Sequence, residues 1–326
     1  MVGKEAQVKS NLKGIIYRIL AVVALFVVGQ VALEGGLIDS FYQINIFLIG
    51  INIILAVSLN LINGYTGQFS IGHAGFMAVG AYVATVLTMK LGYPFAVALL
   101  VGSLSAGLAG FLIGLPTLRL RGDYLAIATL GFGEIIRVLL LNIEYVGGAA
   151  GIIGIPRQTN WAWLYFSCVL TIVVITNLIN SSHGRAFISI REDEIAAETM
   201  GINTTRYKVM AFSIGAFFAG LAGGLYAHYF FLIQPSTFSF LKSFDILVMV
   251  VLGGLGSTTG SILAAIVLTL VSAALASFAE IRMVLYAIVL IILMLYRPQG
   301  MMGNKELSLS MLRLKRGDRR DTAVGE

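Results

Sequence analysis

The charged side chains of this sequence are arranged for binding a protein rather than for catalysis. The segment 182–208, SHGRAFISIREDEIAAETMGINTTRYK, lies between two long apolar runs and carries four basic and four acidic residues. A chain that only passes a solute through a membrane can manage with short turns. A charged segment of this length therefore predicts a docking surface for a soluble partner that drives the protein.

Within this segment, residues 191–201 are predicted to form a short helix outside the bilayer. Ser189 is a candidate N-cap, acidic residues follow in the first turn, and Gly201 is a good C-terminal stop. A helix resting on lipid is the alternative, but its acidic start would face an anionic cytoplasmic leaflet. Ala197 and Gly201 are small enough for close approach of a partner. The residues expected to form the docking surface are Arg191, Glu194, Ile195, Ala196, Ala197, Glu198, Met200 and Gly201.

A second feature is the Gly-rich stretch 60–80, NLINGYTGQFSIGHAGFMAVG. Polar, Gly-rich backbone at membrane depth is tolerated when it is buried in protein or lines a cavity. The stretch is either a site of close helix packing or a broken helix whose main chain contacts a zwitterionic or ionic solute. The candidate residues of the translocation path are Gly64, Gly67, Gln68, Ser70, Gly72 and His73. We expect His73 to be a hydrogen-bonded packing residue rather than a proton relay.

Glu134 and Arg137 stand three residues apart in an apolar run and so share one helix face. Charges within a bilayer are costly unless they are paired or face water. The pair is therefore predicted either to fix helix packing as an ion pair or to line the translocation path.

Motifs for catalysis or cofactor binding do not appear. The chain has no P-loop, GxSxG, HExxH or paired-cysteine pattern, one cysteine, and three scattered histidines. We expect no enzyme activity, no cofactor and no metal. The basic residues lie between apolar runs and at the ends, which is typical of membrane topology rather than of nucleic-acid binding.

The elements that position these residues are predicted to be membrane-spanning helices. The chain is 58% hydrophobic and 12% charged, against about 25% charged in soluble domains. About ten apolar runs are long enough to span a bilayer, and the third and eighth are the least secure, so eight to ten spans are expected. The candidates are 15–33, 41–62, 65–89, 95–116, 123–144, 161–180, 208–230, 240–255, 260–278 and 281–296. The fold class is an all-α polytopic membrane protein with one or more Gly-rich broken or re-entrant segments.

Basic residues give the orientation. With the N-terminus inside, 17 Lys and Arg fall on cytoplasmic segments and 4 on outer ones, which predicts that both termini are cytoplasmic. Residues 1–303 form the transmembrane domain, and the charged tail 304–326 is expected to be disordered.

Several blocks of the sequence resemble one family. GRAFISIREDEIAAETMGINTTRYKVMAFSIGAFFAGLAGGLYA is similar to the permease subunit of branched-chain amino acid ABC transporters of the LivM type, and IAAETMG resembles the EAA loop of ABC importer permeases. GYTGQFSIGHAGFMAVGAY, RGDYLAIATLGFGEIIR and MVVLGGLGSTTG match other blocks of that family. The resemblance covers about residues 55–300.

This resemblance implies a heteromeric importer in a bacterial plasma (inner) membrane. Its partners would be a second homologous permease, two cytoplasmic ABC ATPase subunits and an extracytoplasmic binding protein that delivers Leu, Ile or Val. Urea or a short amide is the alternative solute. An ion-coupled secondary transporter is the other alternative, with His73, Glu134, Arg137 and Asp245 as its candidate ion sites.

Overall fold

The computed structural model describes residues 22–33, 35, 38–117, 120, 122–275, 284, 285, 288, 291, 295 and 300–302. Its helices are α1 Val22–Leu33, α2 Ser40–Asn60, α3 His73–Met89, α4 Phe95–Thr117, α5 Asp123–Asn142, α6 Trp161–Asn180, α7 Ser182–Glu192, α8 Glu194–Thr199, α9 Thr204–Phe230, α10 Phe240–Gly253 and α11 Thr258–Ala274. A π-helical turn, Leu61–Tyr65, continues α2. Two short strands, β1 Ile152–Ile153 and β2 Leu232–Ile233, are the strands of the described part.

Apolar helices confirm the predicted all-α polytopic membrane fold. Within the described residues, five helices are long and apolar enough to span a membrane: α2 with its π-helical turn, α4, α5, α6 and α9. Helices α1, α3 and α11 are shorter and also apolar. The third predicted span, 65–89, begins only at His73 because residues 66–72 are not helical, and the eighth, 240–255, is the 14-residue α10. Most of the tenth predicted span, 281–296, and the tail 304–326 lie outside the described residues.

Helix α9 packs closely against α3 and α4 through small residues. Ala216, Gly220 and Gly224, spaced four apart on one face of α9, are buried. A Cβ placed on Gly220 would overlap Ala106 of α4, and one placed on Gly80 of α3 would overlap the Gly220 backbone. These small residues therefore let the three backbones approach closely.

The two ends of the bundle carry different structures. At the β-ribbon end, β1 and β2 pair antiparallel, with Ile152 opposite Ile233, and the loop 144–160 lies across the C-terminal end of α9. At the α8 end, the turn after α2 contacts the turn between α10 and α11, where Gly256 N donates to Asn60 Oδ1 at 2.9 Å. The turn after α2 and the turn between α10 and α11 thus lie at the same end of the bundle.

Candidate functional site

The single helix predicted over residues 191–201 is interrupted, and the segment 182–208 contains α7, α8 and the start of α9. Helix α7 ends at Glu192, and α8 begins at Glu194. Asp193 separates them in extended conformation, and its Oδ1 accepts hydrogen bonds from Ile195 N at 2.9 Å and Ala196 N at 3.0 Å. The prediction that Ser189 caps the helix is wrong, because Ser189 lies inside α7 and donates its hydroxyl to Arg185 O. Aspartate and serine are similarly good N-caps, and Asp193 takes this role because the chain bends there and α8 begins directly after it.

Gly201 ends α8, as its sequence position predicted. Its φ of +85° is in the left-handed region that glycine adopts most easily. Gly201 N donates to Glu198 O, and Ile202 N donates to Ala197 O. This pair of hydrogen bonds closes the last turn in a Schellman arrangement and turns the chain toward α9.

The outer face of α8 presents apolar side chains to the surroundings. Ile195 is 62% exposed and Met200 is 83% exposed, and Ala196 and Glu198 are exposed beside them. Ala197, by contrast, is only 4% exposed. The expected close approach of a partner at Ala197 is therefore wrong, because α8 packs that position against the protein itself.

An ion pair ties α8 to α9. Lys208 Nζ lies 2.6 Å from Glu194 Oε2, and the two side chains are 8% and 26% exposed. A lysine this buried needs a charged partner, because an isolated ammonium away from water is costly. Glu194 thus contributes to the attachment of α8 rather than to its exposed face.

Arg191 connects α7 to the Gly-rich stretch. Its Nη1 donates to Gly64 O at 3.2 Å, while Nε and Nη2 both donate to Glu192 Oε1. Its stem packs on Gly67, where an added Cβ would lie 3.0 Å from Arg191 Cγ. Sequence reasoning assigned Arg191 to the docking surface and the two glycines to the translocation path. The structure brings the two groups into direct contact.

The Gly-rich stretch is largely buried, although Gly67 and Phe69 are exposed. Asn63 exchanges hydrogen bonds with the backbone of Ser70, both at 3.2 Å, and His73 Nε2 lies 2.9 Å from Ser58 Oγ. Gly72 packs against the backbone carbonyl of Thr129 on α5. The expectation that His73 is a hydrogen-bonded packing residue is confirmed by its full burial and this contact.

Four polar side chains of this stretch have buried atoms without a hydrogen-bond partner in the described part of the chain. They are Asn60 Nδ2, both amide atoms of Gln68, Ser70 Oγ and His73 Nδ1. Each buried polar group left unpaired costs about 1–3 kcal/mol. These residues line neither the groove beside Glu134 and Arg137 nor the cleft between α2, α10 and α11. The stretch therefore concentrates polar groups that would gain partners if it opened to water or to a solute.

Glu134 and Arg137 form the predicted ion pair. Arg137 Nε donates to Glu134 Oε2 at 2.7 Å, and the side chains are 28% and 31% exposed. Glu134 Oε1 also accepts from Phe240 N at 3.1 Å, so the carboxylate ties α5 to the N-terminus of α10. The pair borders an open, mainly apolar groove that also includes Leu130 and Leu241.

Sequence reasoning missed a polar cleft between α2, α10 and α11. The cleft has a volume of about 380 Å³. Lys242 Nζ donates to Asn52 Oδ1 at 3.1 Å, and Asn52 Nδ2 donates to Thr269 Oγ1 at 2.9 Å. Asp245 also lines the cleft. Two features of the sequence could have indicated the cleft. Lys242 and Asp245 lie at the start of the eighth predicted span, and Asn52 lies within the second.

Comparison with known proteins gives a consistent result. The family model described as branched-chain amino acid transport system / permease component matches residues 42–295. The chain is 39% identical to the high-affinity branched-chain amino acid transport system permease protein LivM of Escherichia coli K12, over 82% of this chain and 70% of that protein. It is 24% identical to the probable LivM of Methanocaldococcus jannaschii (79% and 92% covered) and 24% identical to the E. coli permease protein LivH (78% and 92% covered). No solved structure matches the chain.

Proposed function

This chain belongs to the branched-chain amino acid transport permease family, and from that premise we propose that it is the transmembrane permease subunit of an ATP-driven importer of leucine, isoleucine and valine. It is a multi-pass membrane protein that forms part of the translocation path. The observation that carries the proposal is the exposed face of α8, where the large apolar side chains of Ile195 and Met200 project to the surroundings. Helix α8 is paired with α9, and the preceding α7 contacts the Gly-rich stretch.

In the proposed complex, this chain contacts a second permease, ATPase subunits, a substrate-binding protein and the surrounding lipid. A second permease of the same family stands beside this chain, which is supported by its similarity to both LivM and LivH proteins. Two ABC ATPase subunits bind on the cytoplasmic side, and a substrate-binding protein docks at the β-ribbon end. The surrounding lipid is that of the bacterial inner membrane, with both termini of the chain in the cytoplasm.

The coupling mechanism follows from two attachments of the α7–α8 unit. An ATPase subunit bound to Ile195 and Met200 would move α8 when it changes conformation. The Glu194–Lys208 ion pair would transmit this movement to α9. In the same unit, Arg191 near the end of α7 donates a hydrogen bond to Gly64 O of the Gly-rich stretch. One displacement of α7–α8 therefore acts on a central helix and on the turn after α2 together.

The Gly-rich stretch is suited to respond to that displacement. The buried polar atoms of Gln68, Ser70 and His73 lack hydrogen-bond partners in the described part of the chain. Opening the stretch to water or solute would satisfy these atoms, which lowers the cost of the open state. We propose that Gly64, Gly67, Gln68, Ser70, Gly72 and His73 border the path in that state.

The proposal is tested by reconstituting the chain with its co-encoded permease, ATPases and binding protein in proteoliposomes. Uptake of radiolabelled leucine should require ATP in the compartment that faces the ATPases and should be inhibited by unlabelled isoleucine and valine. Urea and acetamide serve as competitors for the alternative solutes. Uptake driven by an ion gradient in the absence of the ATPases, or inhibited by urea but not by valine, would contradict the proposal.

A further inference from the structure

We propose that the exposed side of α5 is the surface through which this chain binds the second permease of the complex. This surface, here called the α5 face, lies along one side of the helix and consists of Ile127, Gly131, Glu134, Arg137 and Val138. The inference rests on the proposed function. It adds to it the position of the permease–permease contact and a hydrogen-bond acceptor that the partner supplies to Arg137.

Helix α5 is the least buried of the five spans in the described part of the chain. In its most apolar 18-residue stretch 17% of the residues are buried, against 67% for α2 and 72% for α9. Its inner side contacts the Gly-rich stretch, where Ile71 N donates to Thr129 Oγ1 at 3.0 Å. On the opposite side, Ile127 is 67% exposed and Val138 is 46% exposed. This chain therefore leaves one long side of α5 uncovered.

The ion pair of Glu134 and Arg137 lies near the middle of this span. At a rise of about 1.5 Å per residue, Glu134 lies about 16 Å from the start of α5 and about 12 Å from its end. Both side chains are partly exposed, and charged side chains at this depth rarely face lipid. The exposed side chains of α4, by contrast, are all apolar, as lipid contact requires. The α5 face is therefore covered by something other than lipid.

Arg137 has hydrogen-bond donors left for a partner. Both carboxylate oxygens of Glu134 are occupied, one by Arg137 Nε and the other by Phe240 N at the start of α10. An arginine has five N–H donors, and the bond from Nε is the one that Arg137 makes within the described residues. The N–H groups of Nη1 and Nη2 can bind a carbonyl or carboxylate group. The N-terminus of α10 adds positive partial charge beside them, which also favours an acceptor.

The shape of the α5 face suits a helix of another subunit. Leu130, Phe240 and Leu241 form with the ion pair a mainly apolar groove of about 520 Å³. Beside it, a Cβ placed on Gly131 would meet no atom within 4 Å. A glycine on an uncovered side of a membrane helix lets a second backbone approach closely.

The second permease is the component of the proposed complex that can cover this face. The ATPase subunits and the binding protein lie outside the bilayer, whereas Glu134 lies near its middle. Water alone would satisfy the donors of Arg137 but would leave the apolar groove and the side chains of Ile127 and Val138 hydrated. A helix of the second permease covers both, because its apolar side chains fill the groove and one of its acceptors binds Arg137.

The first test is photo-crosslinking in the complex with its co-encoded permease, ATPases and binding protein in nanodiscs. The photoreactive amino acid p-benzoylphenylalanine at Ile127 or Val138 should cross-link to the second permease. The matched control is the same amino acid at Leu108, which is 59% exposed on the apolar side of α4 and should give no such product. Cross-links from α5 to lipid alone or to another copy of this chain, or equal cross-linking from Leu108, would contradict the inference.

The second test adds bulk where this chain has no neighbour. Gly131→Trp should leave the thermal unfolding midpoint of the chain unchanged, because nothing in the described part lies within 4 Å of the added Cβ. It should weaken the permease pair at least tenfold, as measured by energy transfer between labelled permeases during dilution with lipid in proteoliposomes. Ala96→Trp places the same side chain on the exposed side of α4 and should leave pair affinity unchanged. Normal affinity of the Gly131→Trp pair would exclude close approach of the partner there.

The third test isolates the acceptor for Arg137. Arg137→Lys keeps a cation beside Glu134 but removes the planar fork of the guanidinium. Pair affinity should fall at least fivefold while the folded yield stays the same. Unchanged affinity would show that the partner supplies no acceptor to this residue.

Failure of this inference is distinguishable from failure of the proposed function. ATP-dependent leucine uptake by the unmodified complex is measured in parallel with the cross-linking. Uptake together with lipid-only cross-links from Ile127 and Val138 overturns the α5 face alone, whereas absence of uptake overturns the proposed function.

Discussion

Removing the apolar side chains from the exposed face of α8 should weaken ATPase binding by an amount that the structure allows to be estimated. The perturbation is Ile195→Ser combined with Met200→Ser. Both residues are exposed, at 62% and 83%, and neither is needed to hold α8 in place, since Asp193, Gly201 and the Glu194–Lys208 pair do that. The double variant should therefore fold normally.

The expected magnitude follows from the area that a partner would cover. Fully burying an Ile or Met side chain stabilises by about 1.5–3 kcal/mol. When this burial free energy is multiplied by the exposed fraction of each side chain, docking is stabilised by about 2–4 kcal/mol in total. Ordering the side chains costs about 0.5 kcal/mol or more each, which leaves about 1–3 kcal/mol. At about 1.4 kcal/mol per tenfold change, the double variant should bind the ATPase subunit about 5- to 150-fold more weakly.

The assay is titration of fluorescently labelled ATPase subunit onto the permease pair in nanodiscs. The matched control is Ile153→Ser, because Ile153 is 63% exposed at the β-ribbon end, far from α8. This control should leave ATPase affinity unchanged. Normal affinity of the Ile195→Ser, Met200→Ser variant in a folded permease pair would refute the assignment of α8 as the docking helix.

Three other predictions concern coupling, the Glu134–Arg137 pair and the orientation of the chain. Arg191→Met keeps the stem packed on Gly67 but removes the donor to Gly64 O, so leucine uptake per ATP hydrolysed should fall at least tenfold; an unchanged ratio would exclude this link from coupling. Glu134→Gln keeps an acceptor for Phe240 N but breaks the ion pair, so folded yield in size-exclusion chromatography should fall and be partly restored by adding Arg137→Gln. Additive losses would argue against pairing. A reporter fused after residue 303 should behave as cytoplasmic, and a periplasmic signal would contradict the proposed orientation.

Local features of the site could be predicted because neighbours along a helix determine them. The spacing of Glu134 and Arg137 puts them on one face of any helix, and the structure pairs them at 2.7 Å. Gly201 ends α8 because few other residues adopt its backbone conformation without strain. The apolar runs identified a membrane protein, since hydropathy is a property of the residues themselves.

Burial within the docking segment could not be predicted in the same way. Ala197 and Ala196 are adjacent and identical in type, yet one is buried and the other is exposed. The bend at Asp193 sets which face of α8 meets the protein, and that bend depends on how α7 and α9 pack. For the same reason Ser189, a reasonable cap in sequence, lies in mid-helix.

The sequence by itself determined that this chain spans a membrane, carries a charged helical segment outside it and resembles a transport permease, because composition, spacing and motif are contained in the chain order. Only the tertiary structure decided how these parts act on one another. Arg191 and Gly64 are 127 positions apart, and Lys242 and Asn52 are 190 apart. Such contacts form only when the intervening helices pack in one particular arrangement, because the distance between two residues far apart in sequence depends on every turn and helix crossing between them.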